Sequence, residues 1–224
     1  MNPIEKLVRE AKHPVALTGA GISAPSGIPT FQGSWKNQPI RNFLTREYYH
    51  SDPVGFFEMF VEMVGWCDKE PNEAHKALAA LDIPVITQNV DGLHEKAGTR
   101  EVYPLHGTLH TVHCSKCGKK MMAKELADRL RPLYRAGDEK AVLDAIKCPD
   151  CGGWIDTDVV LYGDQVRNLF EALRLAEHAD LMLVIGTSLV TYPAATLPEI
   201  AKNRGARIIV INDDCVKALE GIVK

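Results

Sequence analysis

Long apolar runs are the first thing this 224-residue chain lacks. None approaches the roughly 20 residues that cross a bilayer, so no membrane association is expected. The opening residues Met1-Asn2-Pro3-Ile4-Glu5-Lys6 lack the basic-then-apolar pattern of a secretory signal, which points to the cytoplasm. Nor is there a large excess of one charge. A net charge of −3 and a pI near 6.2 give no polyelectrolyte attraction for nucleic acid, and no such partner is expected. Cysteine is limited to six residues, which in a cytoplasmic chain suggest metal before disulfides. What is present suffices for a core. Hydrophobic residues make up 46%, and the length suits one large domain or one domain with a module.

The most informative stretch is VALTGAGISAPSGIPTFQG, from Val15 to Gly33. Val15-Ala16-Leu17-Thr18 is of buried-strand type. Gly19-Ala20-Gly21-Ile22-Ser23-Ala24 follows, the G-x-G-x-x-A form of a turn over a dinucleotide pyrophosphate. The first glycine permits the tight turn, and the second lets backbone N–H groups approach phosphate oxygens. Two features depart from the plain form. Pro25, Gly27 and Pro29 break any helix within two turns, and residues 36 to 46 contain no acid to hold a ribose. The loop is therefore expected to stay extended, with Ser23, Ser26, Thr30, Phe31, Gln32 and Trp35 able to close over a ligand. The alternative is a glycine-rich surface turn.

The rest of the chain alternates strand and helix, which predicts a parallel sheet with helices on both faces. Helices are expected over residues 3–12, from Asp52-Pro53, from Asn72, over 169–178 and over 194–204. Strands are expected at 84–87, 101–105, 158–161, 181–185 and 207–211. Polar groups gather at strand ends: Gln88-Asn89-Val90-Asp91, Gly186-Thr187-Ser188 and Asn212-Asp213 join Gly19 to Ser23. Open α/β sheets bind ligands at such ends, although amides and carboxylates also cap turns there. His106, delivered by the strand at 101–105 and followed by Gly107, is a candidate general base. His75, in the first turn of its helix, reads as a packing or hydrogen-bonding residue. Phe60 and Met63 read first as core and second as the lining of an apolar channel.

Cys114-x-x-Cys117 and Cys148-x-x-Cys151 form two knuckles, each followed by glycine. Four thiolates suit a tetrahedral zinc with no open position, hence a structural one. A redox dithiol is the alternative. Between the knuckles, two short helices are expected to split near Gly137. Cys67 and Cys215 are left as packed or exposed thiols.

With these residues in view, the chain resembles the sirtuins, NAD-dependent protein deacylases. The likeness runs from about Ile4 to Asp213 through GAGISAPSGIPTF, TQNVDGLH, the His106-Gly107 pair, the paired knuckles, VVLYG and GTSLVTYPA. It implies a Rossmann-like domain with an inserted small zinc-binding and helical domain. The sheet domain would be built from residues 1–36, 76–110 and 157–224, with a helical module at 37–75 and a zinc module at 111–156. NAD would contact Gly19, Ala20, Gly21, Ser23, Thr30, Phe31, Gln32 and Trp35. Gln88, Asn89, Val90 and Asp91 would hold its nicotinamide ribose, and Gly186, Thr187, Ser188, Asn212 and Asp213 its adenosine half. An acyl-lysine protein or peptide would lie between the domains and pair with Val160, Leu161, Tyr162 and Gly163. His106, with Asn89, would serve the transfer of the acyl group to ADP-ribose, and nicotinamide would be released.

The chain departs from the family in four places. Gln32 stands where arginine is usual, and Asp156-Thr157 where arginine-proline precedes the VV strand. The segment after Asn212-Asp213-Asp214 is short. Phe60-x-x-Met63 replaces the Tyr-x-x-Arg of relatives that remove acidic acyl groups, so neutral acyl groups are expected. Two other functions use the same cofactor cleft: an NAD glycohydrolase or ADP-ribosyltransferase, and a non-catalytic NAD-binding protein. A zinc-ribbon nucleic-acid binder is disfavoured because no basic stripe accompanies the knuckles.

Overall fold

The computed structural model describes residues 2–30 and 33–222. Strands follow in chain order as β1 Pro14–Thr18, β2 Ser34–Trp35, β3 Gln38–Pro39, β4 Val85–Thr87, β5 Val102–Pro104, β6 Gly107–Cys114, β7 Lys120–Met122, β8 Ile155–Val159, β9 Leu181–Ile185 and β10 Arg207–Ile211. The helices are α1 Pro3–Glu10, α2 Arg46–Ser51, α3 Pro53–Val64, α4 Glu73–Leu81, α5 Leu93–Lys96, α6 Ala123–Ala136, α7 Glu139–Ala145, α8 Leu169–His178, α9 Leu197–Asn203 and α10 Cys215–Ala218. Among the described residues no helix is long and apolar enough to cross a membrane.

The chain forms two compact units. The first comprises Met1–Thr30, Lys69–His106 and Val166–Lys224. It contains a five-stranded parallel sheet in the order β10-β9-β1-β4-β5. β1 and β9 are central and apolar along their length, as strands covered on both faces must be. One face buries Ala16, Leu183, Ile185 and Ile211 with Val8, Leu78 and Ala74 from the helices. The other buries Val15, Leu17, Met182 and Val184 with Ala172, Ala176, Leu197 and Ala201. Helix starts follow their caps. The Asn2 side chain accepts from Ile4 N and that of Asn72 from Ala74 N. The expected helix over 194–204 is a 3₁₀ turn at Ala194–Thr196 followed by α9, with Pro198 in the first turn of α9.

The second unit comprises Phe31–Asp68 and Gly107–Gln165. The helical and zinc modules, read from sequence as separate, are one body here, and its far boundary falls at 165 rather than 156. β8 explains the shift. It spans Ile155–Val159 and joins an antiparallel sheet ordered β7-β6-β8, not the parallel sheet. Val160 to Gly163 therefore follow the strand rather than forming it. The polar run Asp156-Thr157-Asp158 obscures the strand, because Asp158 is buried and takes hydrogen bonds from Thr111 Oγ1 at 2.5 Å and from His113 Nδ1 at 3.1 Å.

Asp156 has its own partner. The Arg46 guanidinium donates to both oxygens of Asp156 at 2.8 Å, and to Asp164 at 3.0 and 2.7 Å. The hydrogen bonds that Arg46 donates to Asp164 are the largest factor holding it well above the usual arginine range, and those to Asp156 add to it. Thus the acid found where the family has arginine-proline anchors α2 to β8. Around it, Tyr49, Phe56, Phe57 and Phe60 pack edge to face, apart from the stacked Phe56–Phe60 pair.

Arg46→Ala removes the guanidinium from two partly buried carboxylates and is expected to destabilise the second unit by about 2 kcal/mol in urea denaturation. Arg46→Lys is expected to fall between the two, because an ammonium cannot hold both carboxylates in bidentate geometry.

Candidate functional site

The four polar strand ends of the first unit are joined by hydrogen bonds. β1 ends in Thr18, and the chain turns at Gly19. Gly19 N donates to Ile185 O at 3.0 Å and Gly21 N to Gly186 O at 2.8 Å. The bare faces of both glycines press on the turn after β9. A Cβ on Gly19 would meet Thr187 Cβ at 2.7 Å, and one on Gly21 would meet Gly186 Cα at 2.7 Å. Gly186 has φ +62° and lies against the Ile22 amide. The second glycine thus serves turn-on-turn packing. Ile22 N and Ser23 N are also bonded within the turn, to Gly19 O and Ala20 O. Of the amides from Gly19 to Ser23, only that of Ala20 is left to meet an anion.

The segment after the turn is not extended as expected. Ala20–Ile22 and Ala24–Ser26 are 3₁₀ turns, and Gly27 is left-handed at φ +81°. The reason is local: each short run closes on its own carbonyls, Pro25 fits the first turn of the second run, and left-handed Gly27 ends it. This tucks Ser23 inward, where it is fully buried. Its hydroxyl donates to Asp91 Oδ2 at 2.8 Å and accepts from Asn89 Nδ2 at 3.0 Å. Thr30 is half-buried. Phe31 and Gln32 lie outside the described residues. Trp35 belongs to the second unit, where it packs edge-on against Phe43 at 4.8 Å.

Beyond β4 the residues divide the work. Gln88 Nε2 donates to Thr187 Oγ1 at 2.8 Å, and Thr187 N donates to Asn212 Oδ1 at 3.0 Å. Asn89 Nδ2 also reaches Gly19 O at 3.2 Å, while its Oδ1 is buried without a partner. Asp91 Oδ1 accepts from Leu93 N and starts α5, so the capping role is real and leaves Oδ2 for Ser23. Val90 is buried, whereas Ser188, Asn212 and Asp213 are exposed. His106 is half-buried, and its ring Nδ1 lies 3.0 Å from Gln88 O. A carbonyl can only accept, so Nδ1 carries the proton and Nε2 keeps its lone pair. Burial pushes the His106 pKa below its usual value, against the opposing effect of the Gln88 carbonyl.

Behind this rim lies a second layer that sequence reasoning mostly missed. Thr18 and Thr87 are in register on β1 and β4, and Thr18 Oγ1 donates to Thr87 Oγ1 at 2.8 Å. Thr18 Oγ1 accepts in turn from His94 Nε2 at 2.9 Å. His75 Nε2 approaches Ser23 Oγ at 3.4 Å, and the two histidine rings meet edge to face at 4.9 Å. His75 is thus a hydrogen-bonding residue, as expected. Burial lowers its pKa to about 4. His94 is pushed well below the usual value by burial and then by His75. The available signal was threonine at the ends of two paired strands.

In the second unit the four knuckle thiols converge, with all sulfurs within 4.8 Å of one another. Cys114 and Cys151 Sγ are 3.5 Å apart, and Cys117 and Cys148 Sγ are 3.8 Å apart. Thiolates at ~2.3 Å from a tetrahedral zinc sit ~3.8 Å apart, so the donor set fits that ion. The amides of Cys117 and Lys116 each reach Cys114 Sγ at 3.4 Å and favour its thiolate.

Two other expectations change. Phe60 and Met63 are 2% and 1% exposed on α3, so they belong to the packed interior and not to an apolar channel. Near Val160 the backbone is partly committed: Leu161 N donates to Asp164 Oδ2, and Tyr162 N to Leu44 O. Tyr162 O accepts from Arg46 N. Leu161 O accepts from Asp164 N, which leaves the backbone groups of Val160 and Gly163 outside these bonds.

Removing zinc with a chelator is expected to expose all four knuckle thiols to a thiol reagent and to lower the melting temperature. Full protection after verified metal loss would contradict a structural metal. The buried histidines set an acid limit. The unfolded chain takes up a proton near pH 6.5 while His75 stays neutral down to about 4. Stability is therefore full above pH 6.5 and is lost as the pH falls toward 4, by about 3 kcal/mol for His75 alone. Denaturation midpoints measured across that range check the slope.

Comparison with known proteins agrees with this architecture. A sequence model described as the Sir2 family matches residues 19–193. An NAD-dependent protein deacylase of Thermococcus kodakarensis is 44% identical over 218 residues, covering 92% of this chain and 82% of that protein. A crystal structure of a Sir2 homolog–NAD complex superposes with a TM-score of 0.85 at 33% identity, covering 98% and 91% of the two chains. A Sir2 protein bound to a propionylated peptide superposes at 0.83 and 32% identity, covering 96% and 94%. With the family match spanning most of its length, and the glycine turns, rim amides and zinc knuckles all in place, the chain belongs to the Sir2 family.

Proposed function

We propose that this protein is an NAD-dependent protein-lysine deacylase that transfers the acyl group to ADP-ribose and releases nicotinamide. The observation that carries this reading is the anchored imidazole of His106. Its Nδ1 is fixed on Gln88 O, and the Gln88 side chain is bonded to Thr187. Nε2 is thereby held as a base on the same rim as the glycine turn. Relatives carry the matching name, and related structures hold acetylated or propionylated peptides.

When bound, NAD supplies a ribose that gives up nicotinamide and takes the acyl oxygen. This chain's residues do the rest. The buried Asn89 Oδ1 is an acceptor lacking a donor, which suits a ribose hydroxyl. His106 Nε2 receives a proton from a ribose hydroxyl, with neutral imidazole as the working form. The Ala20 amide would hold a phosphate oxygen, and Thr187, Ser188, Asn212 and Asp213 would hold the adenosine end. Val160 and Gly163 offer the backbone groups for an extended acyl-lysine peptide, by strand addition.

Incubation with NAD and an acetyl-lysine peptide, followed by mass spectrometry, tests the reaction. O-acetyl-ADP-ribose is the expected product. Nicotinamide release without peptide would favour a glycohydrolase, and no turnover a binding protein. His106→Ala is expected to lower kcat by ~100-fold or more with little change in NAD affinity. Because neutral His106 is the active form and its pKa is lowered, the midpoint of the acid limb of kcat/KM is expected to lie below the ordinary histidine value of about 6.5.

A further inference from the structure

The side chain of Asn72 has two jobs. Its Oδ1 accepts from Ala74 N at 3.0 Å, which starts α4. Its Nδ2 donates to Ile22 O at 2.8 Å and to Ser26 Oγ at 3.0 Å. The partners fix which way the amide points, since Ala74 N can only donate and Ile22 O can only accept. Serine, threonine or aspartate would cap the helix as well. None of them sets two donors beside the capping oxygen, so the cap alone does not call for asparagine.

The two acceptors bracket the segment that turns over the rim. Ile22 closes the first 3₁₀ turn and Ser26 closes the second. Between them sits Ser23, whose hydroxyl holds Asp91 and Asn89. Three residues into the same helix, His75 Nε2 meets that hydroxyl at 3.4 Å. Ile22 is fully buried, so its carbonyl needs a partner, and Asn72 supplies one. Single 3₁₀ turns have poor hydrogen-bond geometry of their own, and an outside tie decides whether they keep their shape. This tie is itself anchored. Lys96 Nζ, on α5, donates to Lys69 O at 2.7 Å and to Glu70 Oε1 at 2.8 Å, just before α4 begins.

We propose that Asn72 is a positioning residue for NAD, acting through the segment from Ala20 to Ser26. This role rests on the reading of the rim as the NAD site. Asn72 pins both sides of Ser23, so the Ala20 amide, Asn89 and Asp91 are in place before the dinucleotide arrives. Order paid for in the free protein is not charged to binding, and affinity rises accordingly. The peptide strip at Val160 and Gly163 belongs to the other unit and is not served by this tie.

Asn72→Ser keeps a helix cap and loses the two-donor tie, so it separates the two jobs. Hydrogen exchange without NAD is the first readout. The amides of Ser26, Gly27 and Ile28 are bonded to Ser23 O and Ala24 O. They are expected to exchange ~tenfold faster in Asn72→Ser, and also in Asn72→Asp, whose carboxylate caps but cannot donate. The Lys76 amide, bonded to Asn72 O at the start of α4, is expected to keep its rate in both variants. Asn72→Ala removes cap and tie together and is expected to quicken exchange at Lys76 too. Calorimetric titration with NAD is the second readout. Asn72→Ser is expected to raise the NAD dissociation constant ~tenfold, while KM for an acetyl-lysine peptide at saturating NAD stays within about twofold. Failure of the unaltered chain to bind NAD overturns the reading of the rim and this role with it. NAD binding that Asn72→Ser leaves unchanged overturns this role alone. So does weakened binding with residues 26–28 still protected.

Discussion

The first unit depends on one close contact, that of the Gly19–Gly21 turn with Gly186. Backbone touches backbone there, and a single methyl on any of the three glycines would collide with the opposite turn. The contact brings the ends of β1 and β9 together, with two interstrand amide bonds crossing the seam. Everything polar at the rim is referenced to it. Gln88 reaches Thr187 because the two turns are level, Thr187 fixes Asn212, and Asn89 closes on Gly19 O. His106 acquires its orientation last, from the Gln88 carbonyl.

Under that rim, a layer of buried polar groups keeps the turn from sliding. Ser23 is shared by Asp91, Asn89 and His75, and the threonine pair by His94. Such networks are worth having only when nearly complete, since each unpaired buried group is costly. Both histidines are neutral because burial disfavours the charged ring, and for His94 the neighbouring His75 adds to it. The arrangement fixes the geometry around the proposed base, His106, and makes the fold acid-sensitive.

The second unit is held by different means. Four thiolates close the knuckles, and one guanidinium clamps two carboxylates from β8 and the segment after it. Arg46 also donates its own amide to Tyr162 O, so the clamp shapes the strip proposed to meet the peptide. Asp156, unusual at its position against the family pattern, is explained by this clamp.

Much of this was legible in the residues. Central strands declare themselves through unbroken apolar runs, caps through Asn2, Asp52 and Asn72, and the metal through two matched knuckles, because each is a local pattern with a local cause. The rim residues were also visible, since glycine, amides and histidine cluster after strands. Sequence did not reveal which partner each takes. Gly21 serves packing because Gly186 lies across from it, Phe60 and Met63 are core because α3 is covered on their side, and β8 turned out antiparallel because Asp158 found Thr111 and His113. Those outcomes follow from contacts between residues distant along the chain, and only the folded arrangement of strands decides them.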